Sequence, residues 1–73
     1  MSFNKIINSI YDEYERASAK FGPFASSHEG YAVILEELEE AWKAIKENDP
    51  ITARNEMVQV AAMAIRFLTD IEE

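Results

Sequence analysis

Apolar residues in the first third of the chain recur at the spacing of an amphipathic helix. The intervals between them alternate between four and three residues, as on one face of an α-helix. These residues are Phe3, Ile7, Ile10, Tyr14, Ala17 and Phe21. Ser2 precedes them as a candidate N-cap, and Gly22-Pro23 ends the pattern because proline lacks the amide hydrogen that a helix needs. The pattern predicts a first helix over 3–21.

A second pattern of the same kind follows a short loop. Ser26 and Glu29 have the spacing of a capping box, which predicts a helix start at this point. The apolar positions that follow are Tyr31, Ile34, Leu35, Leu38, Ala41, Trp42 and Ile45. We predict a second helix over 27–47 whose core-facing stripe is centred on Leu38. Tyr31 and Trp42 on this stripe are then packing residues of a core or an interface.

Asp49 and Pro50 mark the start of a third helix, with Asp49 as N-cap and Pro50 in the first turn. The helix predicted over 50–71 is apolar on nearly all sides, so neighbours within one short chain cannot cover it. We therefore predict that a second subunit covers part of it. The predicted fold class is all-α: a three-helix, antiparallel, hairpin-like chain that completes a multi-helix bundle by oligomerisation.

Composition narrows the classes of function. The chain has 73 residues with 48% hydrophobic residues, so we expect one domain over 1–73 with a marginal core. There is no Cys, which excludes disulfides and thiol chemistry and fits a cytoplasmic protein. The net charge of -7 argues against duplex nucleic acid or an anionic membrane as partner. No apolar run approaches the length of a membrane-spanning helix.

The densest charge lies at 36–40, where four glutamates flank one leucine. At about 100° per residue, Glu36 and Glu39 fall on the side of Lys43, which is typical of a solvated surface. Glu37 and Glu40 fall on the other side, where their neighbours are short and apolar. These neighbours are Val33, Ala41 and Ala44. Short neighbours indicate that another helix packs close over the two acids; the alternative is an ordinary solvated helix surface.

The third helix carries polar residues near its start that can meet these acids. Across a tight turn at Asn48-Asp49, Glu40 and Glu56 lie at similar heights in an antiparallel hairpin. A cluster of Glu37, Glu40 and Glu56, with Gln59 as a neutral oxygen donor, is therefore expected. Converging carboxylates repel each other unless they bind protons or a cation. Oxygen-only ligands favour Mg²⁺ or Mn²⁺.

The order Glu36-Glu37-x-x-Glu40, then Glu56-x-x-Gln59, resembles the E-E-x-x-E and E-x-x-D motifs of MazG-like, all-α nucleoside triphosphate pyrophosphohydrolases. The likeness extends over about residues 21–71. It implies a helical bundle completed as a homodimer or homotetramer. It also implies cleavage of the bond between the α- and β-phosphates of a (deoxy)nucleoside triphosphate, giving the monophosphate and pyrophosphate. It implies Mg²⁺ ligands at Glu37, Glu40, Glu56 and Gln59, with Glu36 as a further ligand or the residue that orients the attacking water.

Gln59 stands where the family motif has Asp, which removes one anionic ligand and predicts weaker binding of Mg²⁺. The sequence also has no basic segment that is an obvious partner for a triphosphate. A second function therefore stays open, namely a non-catalytic helical oligomerisation or interaction module with a degenerate metal site.

Two other polar residues are assigned structural roles. His28, the single histidine, lies at a helix start and is expected to cap or pack there. Arg66 precedes Asp70 by four residues, a spacing that favours an ion pair on one helix face. Contact of Arg66 with phosphate or with the acidic cluster is the alternative.

Overall fold

Within residues 2–71, which the computed structural model describes, the chain forms three α-helices. These are α1 (Phe3–Phe21), α2 (Ser27–Lys46) and α3 (Pro50–Asp70). The predicted all-α class is confirmed, and α2 and α3 each end one residue earlier than predicted. In the described range, none of the three helices combines the length and apolar character needed to cross a membrane.

Each helix begins at the residue that the sequence indicates. The side chains of Ser2, Ser26 and Asp49 each accept a hydrogen bond from the backbone N–H three residues further on. The Glu29 carboxylate accepts its hydrogen bond from the N–H of Ala25, one residue before the N-cap. This differs from a regular capping box, in which the N-cap N–H is the donor. The local signals therefore fix where the helices start.

Both connections contain a residue with left-handed backbone geometry. Gly22 has φ 71° and its N–H donates to the carbonyl of Ser18, which ends α1. Asn48 has φ 56°, and the next N–H, that of Asp49, donates to the carbonyl of Ala44. The second connection is short, so α2 and α3 form an antiparallel hairpin.

Helix α3 packs against both other helices, while the backbones of α1 and α2 do not approach each other closely. The buried residues of the core are few and mostly small. They are Ala17, Phe24, Ala62 and Met63, with Ala41 and Ala44 buried along α2. Small side chains let the helix backbones come close together, and a space between α1 and α2 remains above α3.

The face of α2 that packs on α3 is not the one centred on Leu38. Ala41 and Ala44 are 0% and 4% exposed, whereas Leu38 is 44% and Trp42 57% exposed. The prediction that the Leu38 stripe forms the core of this chain is therefore wrong for its large residues, because the packed face is centred roughly 90° around the helix from Leu38. Ala41, at the edge of the predicted stripe, is the member that is buried. The prediction that an element covers the small residues beside Glu37 is confirmed.

Arg66 joins the end of α3 to the loop after α1. Its side chain is 3% exposed and donates to the carbonyl of Gly22 and to the Met63 sulfur. Its guanidinium lies over the ring of Phe24, with 4.3 Å between Cζ and the ring centroid. The predicted pair with Asp70 is present, with 3.9 Å between Nε and Oδ2. Asp70 in turn accepts the N–H of Phe24 at 3.0 Å, which fixes the loop.

Candidate metal centre

Three carboxylates converge where α2 packs against α3. Glu37, Glu40 and Glu56 each offer one oxygen, and these three oxygens all lie within 4.8 Å of one another. Glu37 and Glu40 share a side of α2 because they are three residues apart. Glu56 reaches the same height from α3 because the hairpin turn is short. The structure thus brings together the three acids that the sequence analysis grouped.

Glu56, like Glu37, is half-buried, and one of its carboxylate oxygens is removed from water. Its Oε2 atom is buried and lacks a hydrogen-bond partner among the described residues. Glu37 is half-buried and Glu40 is exposed. A buried carboxylate oxygen without a partner is costly unless a proton or a cation meets it. The cluster is therefore expected to bind a proton or a cation.

The electrostatics of the cluster agree with this geometry. Burial raises the pKa of Glu56 above its ordinary value, and the nearby Glu37 carboxylate raises it further. The charge of Glu56 in turn raises the pKa of Glu40, with a smaller contribution from Glu36. Both acids therefore hold a proton more readily than a solvated glutamate does. A bound divalent cation would favour the ionised forms instead.

The donor set fits a hard divalent cation. All three donors are carboxylate oxygens, which Mg²⁺ and Mn²⁺ prefer. Oxygens bound to Mg²⁺ at about 2.1 Å from the ion lie about 3–4 Å from each other, so a separation of up to 4.8 Å needs only small side-chain adjustments. His28 lies in the first turn of α2, is exposed and is not part of the cluster.

A groove of about 370 Å³ opens beside the cluster, between α1 and α2 and above α3. Glu36 and Glu37 line it from α2, and Gln59 and Arg66 line it from α3. Its volume lies within the range of small-molecule sites. Glu36 is exposed at the groove, and Gln59 is half-buried on the opposite wall. Glu36, Glu37 and Gln59 therefore border one connected space that a small ligand can enter, and Glu37 also belongs to the acidic cluster.

Helix α1 contributes a cation, Arg16, to this groove. Arg16 lines the groove and makes a two-point hydrogen-bonded pair with Glu13. Glu13 chiefly, and Glu37 to a smaller extent, raise the pKa of Arg16. Arg16 faces the acids because of how α1 packs on α3. The hydrophobic pattern of α1 alone does not predict how α1 packs on α3, so it does not predict the position of Arg16.

Comparison of this chain with protein-family models, with curated proteins and with solved structures gives no match. The chemistry of the groove is therefore the basis for assigning a function. Its components are three converging carboxylates, one buried carboxylate oxygen without a partner and one arginine that is accessible from solvent.

Proposed function

We propose that this chain is a Mg²⁺-dependent pyrophosphohydrolase, also active with Mn²⁺, that cleaves the bond between the α- and β-phosphates of a nucleoside triphosphate. One observation carries the proposal: Glu37, Glu40 and Glu56 converge within 4.8 Å, and Glu56 has a buried oxygen without a partner. The motif resemblance described above names the reaction. The groove beside the acids supports it by offering space for a phosphorylated ligand.

The residues divide into those that hold the cation and those that face the substrate. Glu37, Glu40 and Glu56 would bind the ion, and the Gln59 side-chain oxygen would be a neutral ligand. When bound, such an ion polarises a phosphate and lowers the pKa of an attacking water. Glu36 is exposed at the groove and would accept a hydrogen bond from that water, which orients it.

Arg16 is the group that we assign to phosphate binding. Its side chain is 52% exposed, whereas Arg66 is buried and already bound to Gly22, Phe24 and Asp70. A planar guanidinium binds phosphate oxygens at two points, as it binds Glu13 in the chain alone. Exchange of Glu13 for a phosphate would leave Arg16 at the groove with a new partner that is also negatively charged.

Gln59 favours a second candidate function. In place of the motif's Asp it supplies no charge, so the site has one carboxylate fewer to bind an ion. If this loss is decisive, the chain is a non-catalytic helical oligomerisation or interaction module with a degenerate metal site. Metal binding separates the two, because an ion that binds only the folded state raises the melting temperature.

Release of pyrophosphate from a panel of nucleoside and deoxynucleoside triphosphates, with Mg²⁺ or Mn²⁺, tests the proposal. We expect release with at least one nucleotide, and its loss in Glu37→Gln. Glu39→Gln is the matched control, since it makes the same charge change on the solvated side of α2. Absence of release together with an unchanged melting temperature in millimolar Mg²⁺ would favour the non-catalytic module.

A further inference from the structure

A second and larger groove lies between the N-terminal halves of α1 and α3. Its volume is about 880 Å³, which is within the range of small-molecule sites. The other ends of these helices are held together, since the Tyr14 hydroxyl donates to Thr69 and Arg66 donates to the carbonyl of Gly22. We call this space the α1–α3 groove; its lining includes Ile6, Ser9 and Ile10 of α1 and Asn55 and Val58 of α3.

The α1–α3 groove combines apolar walls with a polar rim. Ile6, Ile10 and Val58 line it and are each half-buried. Asn55 is exposed at the rim, where its amide can both donate and accept hydrogen bonds, and Ser9 adds a hydroxyl. Such a groove suits a flat heterocyclic ring, because aliphatic side chains pack on the faces of the ring and polar groups bind its edge.

The balance of charge differs between the two grooves. The α1–α3 groove is lined by two acids and two bases, namely Asp12, Glu13, Arg16 and Arg54. The groove beside the acidic cluster is lined by four acids and two arginines, so it favours a group that brings a cation with it. A phosphate bound to Mg²⁺ meets that condition, whereas an uncharged nucleoside is better matched to the α1–α3 groove.

The two grooves meet at three shared residues. Glu13, Arg16 and Gln59 line both of them. A ligand whose phosphate binds Arg16 can therefore extend toward the acidic cluster in one direction and into the α1–α3 groove in the other. The groove beside the acids holds about 370 Å³, near the lower end of the ~300–1,000 Å³ of small-molecule sites. A nucleoside triphosphate is therefore expected to extend through this junction.

The end of the acidic groove near the loop after α1 offers less to a base. Phe24 lines it but is 7% exposed, and the Arg66 guanidinium already lies over its ring. Phe21 also lines this end and is 62% exposed, so a base stacked on it would keep much of its surface in water. The α1–α3 groove places a ligand between two helices and removes more of it from water.

We propose that the α1–α3 groove binds the nucleoside of the nucleotide substrate. This inference rests on the function proposed above. It assigns the base and the sugar to the groove between α1 and α3, and the phosphates to the junction and the acidic cluster. The amide nitrogen of Gln59 can donate to a phosphate or sugar oxygen at the junction, whereas an ionised aspartate at this position could only accept.

Amide chemical shifts of the nitrogen-15-labelled full chain locate the bound nucleoside. The probes are nucleoside monophosphates that cover the common bases, and inorganic phosphate, each compared with Mg²⁺ alone. We expect at least one monophosphate to shift the amides of Ser9, Ile10 and Asn55, and inorganic phosphate to leave these amides unchanged. If every nucleotide leaves them unchanged, the inference is overturned, whether the shifts lie near Phe21 instead or are absent altogether.

A variant that blocks the groove tests the same placement. Asn55→Trp puts a large side chain at the rim, so we expect the Kd of the monophosphate to rise about tenfold or more. Asn8→Trp is the matched control and should bind like the parent, since Asn8 is exposed on α1 and outside both grooves. Equal affinity of Asn55→Trp and the parent would contradict the placement. If Asn55→Trp does not fold, the shifts in the parent decide.

These measurements do not depend on turnover. Nucleotide shifts at Ser9, Ile10 and Asn55 without release of pyrophosphate from any triphosphate would support the nucleoside groove and contradict the pyrophosphohydrolase. Release of pyrophosphate without those shifts would support the enzyme and contradict the groove. Failure of this inference and failure of the proposed function therefore give different results.

Discussion

Glu56 of α3 places a carboxylate oxygen within 4.8 Å of one on Glu40 of α2, so two acids from different helices share one small volume. The charge of Glu56 raises the pKa of Glu40, and burial together with Glu37 raises the pKa of Glu56. Helix packing holds the acids together in spite of this cost. The close approach of the helices comes from Ala41 and Ala44, which are buried against α3. Packing between small residues therefore brings the acids together.

The first expected consequence is that Glu56→Gln stabilises the metal-free protein. The amide has nearly the same shape but no charge, so the repulsion from Glu37 and Glu40 is removed. We expect the melting temperature in the presence of a chelator to rise by about 2–6 °C. Glu39→Gln, on the solvated side of α2, should leave it nearly unchanged. Equal melting temperatures of Glu56→Gln and its parent would contradict a strained cluster.

Stability of the metal-free protein should also depend on pH through these acids. The pKa values of Glu56 and Glu40 are higher in the folded than in the unfolded chain. At a pH between the unfolded and the folded pKa values, the folded state therefore binds more protons than the unfolded state. The contribution of these protonated acids to the free energy of unfolding is therefore lost as pH rises through the folded pKa values. We expect the melting-temperature advantage of Glu56→Gln over the parent to be largest near neutral pH. It should shrink as pH falls toward the ordinary pKa of glutamate, and a constant difference across that range would disagree with the assigned cause.

Among the charged residues, Arg66 is the one whose replacement is expected to destabilise the protein most. Arg66→Met removes the donor to Gly22 and the contact with the Phe24 ring, and it leaves Asp70 without its cation. We expect a loss of about 2–4 kcal/mol in the free energy of unfolding in urea. Arg54→Met changes an exposed arginine on the same helix and should cost well under half as much. Similar losses in the two variants would contradict the anchoring role of Arg66.

Gly30 is expected to resist replacement even though glycine is unfavourable within a helix. A Cβ at this position would lie 2.6 Å from Cδ2 of Phe67 and 3.3 Å from Cδ2 of Phe24. The overlap should outweigh the ~1 kcal/mol that alanine gains in helix propensity, giving a net loss of about 1–2 kcal/mol. The double variant Gly30→Ala with Phe67→Leu should lose less than the sum of the single changes. Additive losses in urea unfolding would show that the two side chains do not meet.

The helix boundaries and the acidic cluster were predictable because their signals are local. Ser2, Ser26 and Asp49 each cap a helix through a hydrogen bond within three residues. Glu40 and Glu56 are separated by a tight turn, so counting residues along two antiparallel helices was enough to place them at one height. Neither prediction depended on knowing how α1 packs.

The rotation of α2 and the position of Arg16 were not predictable in the same way. The Leu38 stripe has the larger apolar side chains, and a pattern of hydrophobic residues does not tell whether its own chain or a second one covers them. Within one chain, Ala41 and Ala44 face α3 because small residues allow the closest backbone approach. Arg16 reaches the groove only through the packing of α1 on α3, a contact between residues far apart in sequence.

Binding of Mn²⁺, followed by the loss of the electron paramagnetic resonance signal of the free ion, tests the proposed cation site most directly. We expect saturable binding of Mn²⁺ by the parent and by Glu39→Gln, competition by Mg²⁺, and strongly weakened binding in Glu56→Gln. Binding that is equally weak in all three proteins, or that survives unchanged in Glu56→Gln, would contradict the assignment of Glu37, Glu40 and Glu56 as a cation site.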